Sequence, residues 1–218
     1  IILHIMKLWA LSDLHLTLAT PSKAMHVFGE TWRDHEARIA AAWNRSVADE
    51  DVVLVPGDIS WASRLEDALT DLEYLHRLPG TKVILEGNHE RWWQSIVEVR
   101  DELPPSIKAV SADHLEVGNW LVFGTRLWEH EEIHVDDLIA WNRMSDKRPD
   151  TRTDADRERN EKIYARELGR LDRCVKALPN RPWLRRVCMT HYPPVCQDLS
   201  ETRASWLVES SGAAISVF

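Results

Sequence analysis

Four apolar runs in this sequence each end in side chains that can donate oxygen or nitrogen to a metal ion. "LWALSDLHL" delivers Asp13 and His15, "VVLVPGDIS" delivers Asp58, "KVILEGNHE" delivers Asn88, His89 and Glu90, and "VCMTHYPP" delivers His191. Each fragment alone has a plain reading: a turn carboxylate beside a surface imidazole, a loop after a strand, a turn after glycine. Independent loops have no reason to carry the same donor chemistry at the same end of four strands. That carboxyl edge is where α/β sheets usually place their sites. Carboxylate and amide oxygens with imidazole nitrogens fit Mn, Fe, Zn or Ni, and the lack of thiolates speaks against structural zinc. One carboxylate can bridge two such ions about 3.5–4 Å apart, clamping the attacking and leaving oxygens of a hydrolysis. The donor set therefore suits a pair of divalent cations. Gly57 and Gly87, lacking side chains, allow sharp turns and close backbone approach at such a cage.

The elements that must position these residues alternate between strand and helix periods. Strands are expected over 7–12, 52–55, 82–85, 187–190 and 214–218, with a hairpin of 115–117 and 121–123 around Gly118-Asn119. Trp32, Ile39, Trp43 and Val47 recur at helical spacing over 31–47. A capping box, Ser63 with Glu66, opens a helix whose Leu65, Leu69, Leu72 and Leu75 share a face. Further helices are expected over 92–103, 158–178 and 201–209, and residues 129–160 read as a charged excursion or lid. The alternation argues for an α/β domain spanning 1–218.

With 44% hydrophobic and 28% charged residues the composition is that of a globular protein. A net charge of -8 argues against strong nucleic-acid binding, which needs clustered Lys and Arg. It leaves phosphorylated substrates open, because bound ions can make a site locally positive. Cys174, Cys188 and Cys196 lack metal-type spacing and read as reduced thiols of a cytoplasmic protein. The apolar start lacks a basic leader, and no stretch is long enough to cross a bilayer, so no membrane role is expected.

The ordered set D-x-H, G-D, G-N-H-E and a later H resembles the calcineurin-like metallophosphoesterases. The wider match "LWALSDLHL", "LVPGDISWA", "GNHERWW", "FGTRLW" and "THYPP" is similar to a bacterial branch of predicted phosphohydrolases, from about Lys7 onward. The resemblance implies two facing mixed β-sheets flanked by helices, an αββα sandwich with metals at the strand ends. It implies that Asp13 and His15 hold one ion, Asn88 and His191 the other, and that Asp58 bridges both. His89 would face the substrate, stabilising a phosphoryl oxygen or protonating the leaving group, as the catalytic partner of Asp58. Glu90 would orient the His89 ring, its plainer alternative being a carboxylate at a helix N-terminus. The implied activity is hydrolysis of a small phosphomonoester or phosphodiester by a metal-bound hydroxide, with two divalent ions, manganese foremost.

The family pattern closes with Gly-His-x-His after a short final strand, whereas "SGAAISVF" stops at Phe218. The chain thus reads as C-terminally truncated, with two competing consequences. Either the site is impaired, or water, His130, His134 or a second copy supplies the lost ligands; an unpaired last strand would favour a homodimer. For His130 and His134 a solvated charged loop is the plainer reading. A catalytically inactive binding or scaffold protein on the same fold is the alternative function. His4, His26, His35, His76 and His114 read as surface or helix-face residues. Among eleven tryptophans, Trp61, Trp92, Trp93 and Trp128 follow motif loops and either wall a pocket or pack the core. Trp9, Trp32, Trp43 and Trp206 occupy core-like positions.

Overall fold

A computed structural model describes residues 6–133 and 152–218. Strands β1 (Leu8–Ala10), β2 (Val52–Val55), β3 (Thr81–Leu85) and β4 (Ile107–Val110) form one sheet in that order, all parallel. Strands β5 (Asp113–Val117), β6 (Trp120–Gly124), β7 (Arg185–Met189) and β8 (Ile215–Val217) form the second. There β5 and β6 are antiparallel while β6, β7 and β8 run parallel. The second sheet is thus mixed, and the described strands of the first are parallel.

Side-chain alternation along the strands sorts the core into three layers. Val52, Leu54, Val83, Leu85 and Val110 meet Trp120, Val122, Val187 and Met189 between the sheets. Val53, Val55, Ile84, Ile107 and Ala109 point the other way, under helices α1 (His35–Ser46), α2 (Leu65–His76) and α3 (Ile96–Glu102). Phe123 and Cys188 pack under α4 (Asp154–Lys176) and α5 (Arg203–Ser210). The result is the expected αββα sandwich. Strands buried on both faces read as unbroken apolar runs, which is why β2 and β3 stand out in the sequence.

Several elements depart from expectation for local reasons. β4 follows Pro104-Pro105 and presents Lys108 to solvent, so it carries no clear period and was not expected. α3 begins at Ile96 rather than 92, because Ser95 accepts the Glu98 N–H as its cap, and Trp92 and Trp93 lie in the core before it. The Ser63 capping box does not form; Arg64 occupies the cap position and pairs with Glu66 and Asp67. α4 begins earlier than 158, where Thr153 and Asp156 cap one another. Trp206, expected inside, is 65% exposed on α5. Among the described residues no helix is long and apolar enough to cross a membrane.

At the edge opposite the strand ends, Lys82 is 0% exposed. Its ammonium donates to the carbonyls of His76 and Leu78 and to Ser106 Oγ, so it caps the end of α2. Burial pulls its pKa down from 10.5 to about 8. Between those values the folded chain releases a proton that the unfolded chain keeps, so stability rises with pH across that window. Urea denaturation should therefore show wild type gaining on Lys82→Met between pH 8 and 10.5. A pH-independent difference would contradict the buried, capping ammonium.

Candidate metal centre

The loops after β1 and β2 are stitched together before any side chain acts. Leu11 N–H donates to Leu54 O (3.0 Å), Asp13 to Gly57 O (3.2 Å), His15 to Asp58 O (2.9 Å) and Leu16 to Ile59 O (2.8 Å). Along this ladder Asp13 (φ 57°), His15 (φ 45°) and Asp58 (φ 52°) adopt left-handed backbone, which costs a non-glycine residue roughly 1–2 kcal/mol. Such strain gathered in one place marks a site whose geometry the fold enforces. Gly57 (φ 98°) and Gly87 are required by contact. A Cβ on Gly57 would stand 2.6 Å from His191 Nδ1, and one on Gly87 would stand 2.2 Å from Asp58 Oδ1.

Glu90, 4% exposed, lies under this junction. Its Oε2 accepts the N–H groups of Asp58 (2.9 Å) and Gly87 (2.7 Å). Its Oε1 accepts those of Ile59 (2.6 Å) and Ser60 (3.3 Å). Burial and the neighbouring Asp58 carboxylate push the Glu90 carboxyl well up, and the main-chain donors pull it back. Four donors fill the capacity of two carboxylate oxygens. Glu90 therefore ties the β2 loop to the β3 loop instead of orienting the His89 ring, and it precedes rather than begins a helix.

The side chains converge on Asp58. His15 Nε2 lies 3.5 Å from Asp13 Oδ1 and 3.7 Å from Asp58 Oδ2. His191 Nε2 lies 2.8 Å from Asn88 Oδ1 and 3.5 Å from Asp58 Oδ1. The two Asp58 oxygens thus face two different donor pairs. His89 joins both sides: its N–H bonds Asp58 Oδ1 (3.0 Å) and its Nε2 stands 3.8 Å from Oδ2. Donors about 2.1 Å from one ion sit about 3.0–3.4 Å apart in octahedral or tetrahedral geometry, close to these separations. Asp13, His15 and Asp58 each offer an atom within 4.8 Å of the others, a group able to hold a metal ion. On the other side, His191 Nδ1 can donate to Pro56 O (2.9 Å), which turns the Nε2 lone pair toward the Asn88 and Asp58 oxygens. Facing acceptors need a cation, or a proton on the ring, between them. Burial raises the Asp13 carboxyl, but hydrogen bonds from His15 and Ser12 and nearby His191 outweigh it and hold the group below its usual range.

Residues 6–215 match the model of the calcineurin-like phosphoesterases. The chain belongs to that family. Among its relatives are the gene 66 proteins of Mycobacterium phages D29 and L5. The first is 36% identical over 83 residues, covering 38% of this chain and 40% of its own length. The second is 30% identical over 82 residues, covering 38% and 39%. The match thus spans about two fifths of these relatives. Among solved structures, phosphopantetheinyl hydrolase of Mycobacterium tuberculosis shares 18% identity over 95% of this chain and 75% of its own, with a TM-score of 0.45.

In this calcineurin-like chain the fold brings together Asp13, His15, Asp58, Asn88, His89 and His191. His130 is not among them: it pairs with Glu161, stacks on Tyr164 (4.6 Å) and accepts the Glu132 N–H. His134 lies outside the described residues. Of the four tryptophans weighed as pocket walls, Trp92 and Trp93 are core. Trp128 lies tilted against Tyr192 (5.3 Å), and Trp61 packs on His15 (5.2 Å) and His89 (4.4 Å). His35, expected as a surface or helix-face residue, stands at the start of α1. It is buried, its Nε2 bonds the His15 carbonyl (3.1 Å), and Glu36 holds its other nitrogen (3.0 Å).

Glu90→Gln puts an amide NH₂ against two main-chain N–H groups. With charge-assisted bonds contributing about 1.5–3 kcal/mol each, the variant should lose about 3 kcal/mol or more in urea denaturation. Wild-type stability would contradict the clamp.

Proposed function

We propose that this chain is a metal-dependent phosphohydrolase acting on a small phosphomonoester or phosphodiester through two divalent ions, manganese foremost. The observation that carries the reading is the Asp58 carboxylate, each oxygen turned to its own donor pair. Asp13 and His15 with Oδ2 would hold one ion, and Asn88 and His191 with Oδ1 the other. Ions there would acidify water and draw charge from the phosphoryl oxygens.

The chain's own groups do the rest. His89 is the group left for the substrate: its side chain is 38% exposed, and its main chain is anchored on Asp58. Its imidazole donates a proton to a phosphoryl oxygen or to the leaving group. Trp61 packs against that ring and against His15, limiting how either can turn. The net charge of -8 supports a small substrate held at the centre over a polyanion held by the surface. Cys174, Cys188 and Cys196 are buried free thiols, and burial pushes Cys174 up to about 11, which supports a structural role in a reducing, cytoplasmic setting.

The test is turnover of p-nitrophenyl phosphate and bis(p-nitrophenyl) phosphate with Mn²⁺, and its loss with a chelator. His89→Ala should lower kcat about 10²–10⁴-fold while leaving metal content unchanged. Asp58→Ala should remove both ions along with activity. A chain that binds ions yet turns over neither ester would sink the catalytic reading and leave the binding-protein alternative.

A further inference from the structure

The donor pairs on either side of Asp58 are fixed by different means. Asp13, His15 and Asp58 all follow strands of the first sheet and are tied by the main-chain ladder between their loops. Asn88 follows β3 of the first sheet, but His191 follows β7 of the second. The layer between the sheets is apolar and non-directional, so something polar must set the register of these two residues.

Arg126, just after β6, reaches both. Its carbonyl accepts the N–H groups of His191 (3.2 Å) and Tyr192 (2.9 Å). Its Nη1 donates to Glu86 Oε1 (2.8 Å), two residues before Asn88. The guanidinium is 17% exposed, lies over the Trp128 ring (4.9 Å), and brings Nε within 4.0 Å of Glu167 Oε1, a fully buried carboxylate on α4. Arg170 holds Glu167 in turn (3.0 Å) and bonds Ser111 Oγ (2.9 Å). A planar cation fixed between two carboxylates and an aromatic face is a rigid strut, a task that lysine fills poorly.

We propose that Arg126 is a positioning residue for the second donor pair, aligning His191 with Asn88 across the two sheets through its carbonyl and its ion pair with Glu86. The inference rests on the two-ion reading above, and it predicts that the two ions respond unequally to the same substitution. Outer partners of metal ligands typically contribute about 10–100-fold in affinity.

The experiment titrates Mn²⁺ calorimetrically into the full chain, Arg126→Ala, Arg126→Lys and Glu86→Gln, and follows imidazole ¹⁵N shifts of the metal-free proteins. Arg126→Ala and Glu86→Gln should weaken one ion about 10–100-fold and spare the other, with Arg126→Lys intermediate. Without metal, the His191 ring signals should move while those of His15 stay. Glu86→Gln keeps shape and size, so it carries the test if Arg126→Ala folds poorly. Equal weakening of both ions, or an unmoved His191, would overturn the role of Arg126. Wild type binding no ion would overturn the two-ion reading instead, while the His191 shifts would still decide for or against the strut.

Discussion

Lone pairs repel one another, and this fold crowds them around a single carboxylate. His15 and His191 bring ring nitrogens within 3.7 Å and 3.5 Å of the Asp58 carboxylate, Asp13 and Asn88 stand beside those rings, and beneath lies a second buried carboxylate, Glu90. Crowding two buried carboxylates together is unfavourable on its own. It persists because the main chain supplies the donors: four N–H groups converge on Glu90, and a ladder joins the β1 and β2 loops. The strain of three left-handed, non-glycine residues is absorbed by the same ladder. Burial of the apolar layers must exceed all of this for the chain to fold.

The sandwich architecture explains why so much lies at one edge. Parallel strands place their carboxyl ends together, so loops distant in sequence become neighbours without long excursions. Glu90 and Asp58 lie 32 residues apart, and His191 lies 103 residues from Asn88, yet each pair touches. The apolar layers set how far apart the sheets are. Directional polar contacts, such as His191 Nδ1 with Pro56 O and Arg126 with Glu86, join loops of the two sheets at the edge where the donors gather.

What the sequence exposes of this centre follows from the same division. Asp13, His15, Asp58, Asn88, His89 and His191 were legible because a polar donor ending an apolar run is conspicuous. β2, β3 and β6 were legible because strands buried on both faces are unbroken runs. Glu90 and His35 were less legible, because their bonds run to main-chain atoms that a side-chain pattern does not encode. His35 bonds the carbonyl of His15, twenty residues away, and nothing in a helical period marks which loop its face will meet. β4 was missed because four residues with a solvent-facing lysine carry too little alternation to stand out. Trp206 misled for the opposite reason: its size suggested burial, yet α5 turns it outward.

Charge links the fold to the proposed chemistry. On that reading, the centre without cations is a nest of acceptors and carboxylates in an acidic chain, and a phosphate entering it would be repelled. With cations in place the sign of the local field inverts, and the same residues become the frame of an anion site. Metal and substrate must then bind with positive coupling, since each stabilises the form of the site that the other needs. On the same reading, the strain and buried acidity that cost stability in the free chain hold the donor spacing that two small, highly charged cations would need. Neutralising Glu90 would remove the clamp on the Asp58 loop, costing stability and loosening the donor spacing around Asp58 at the same time.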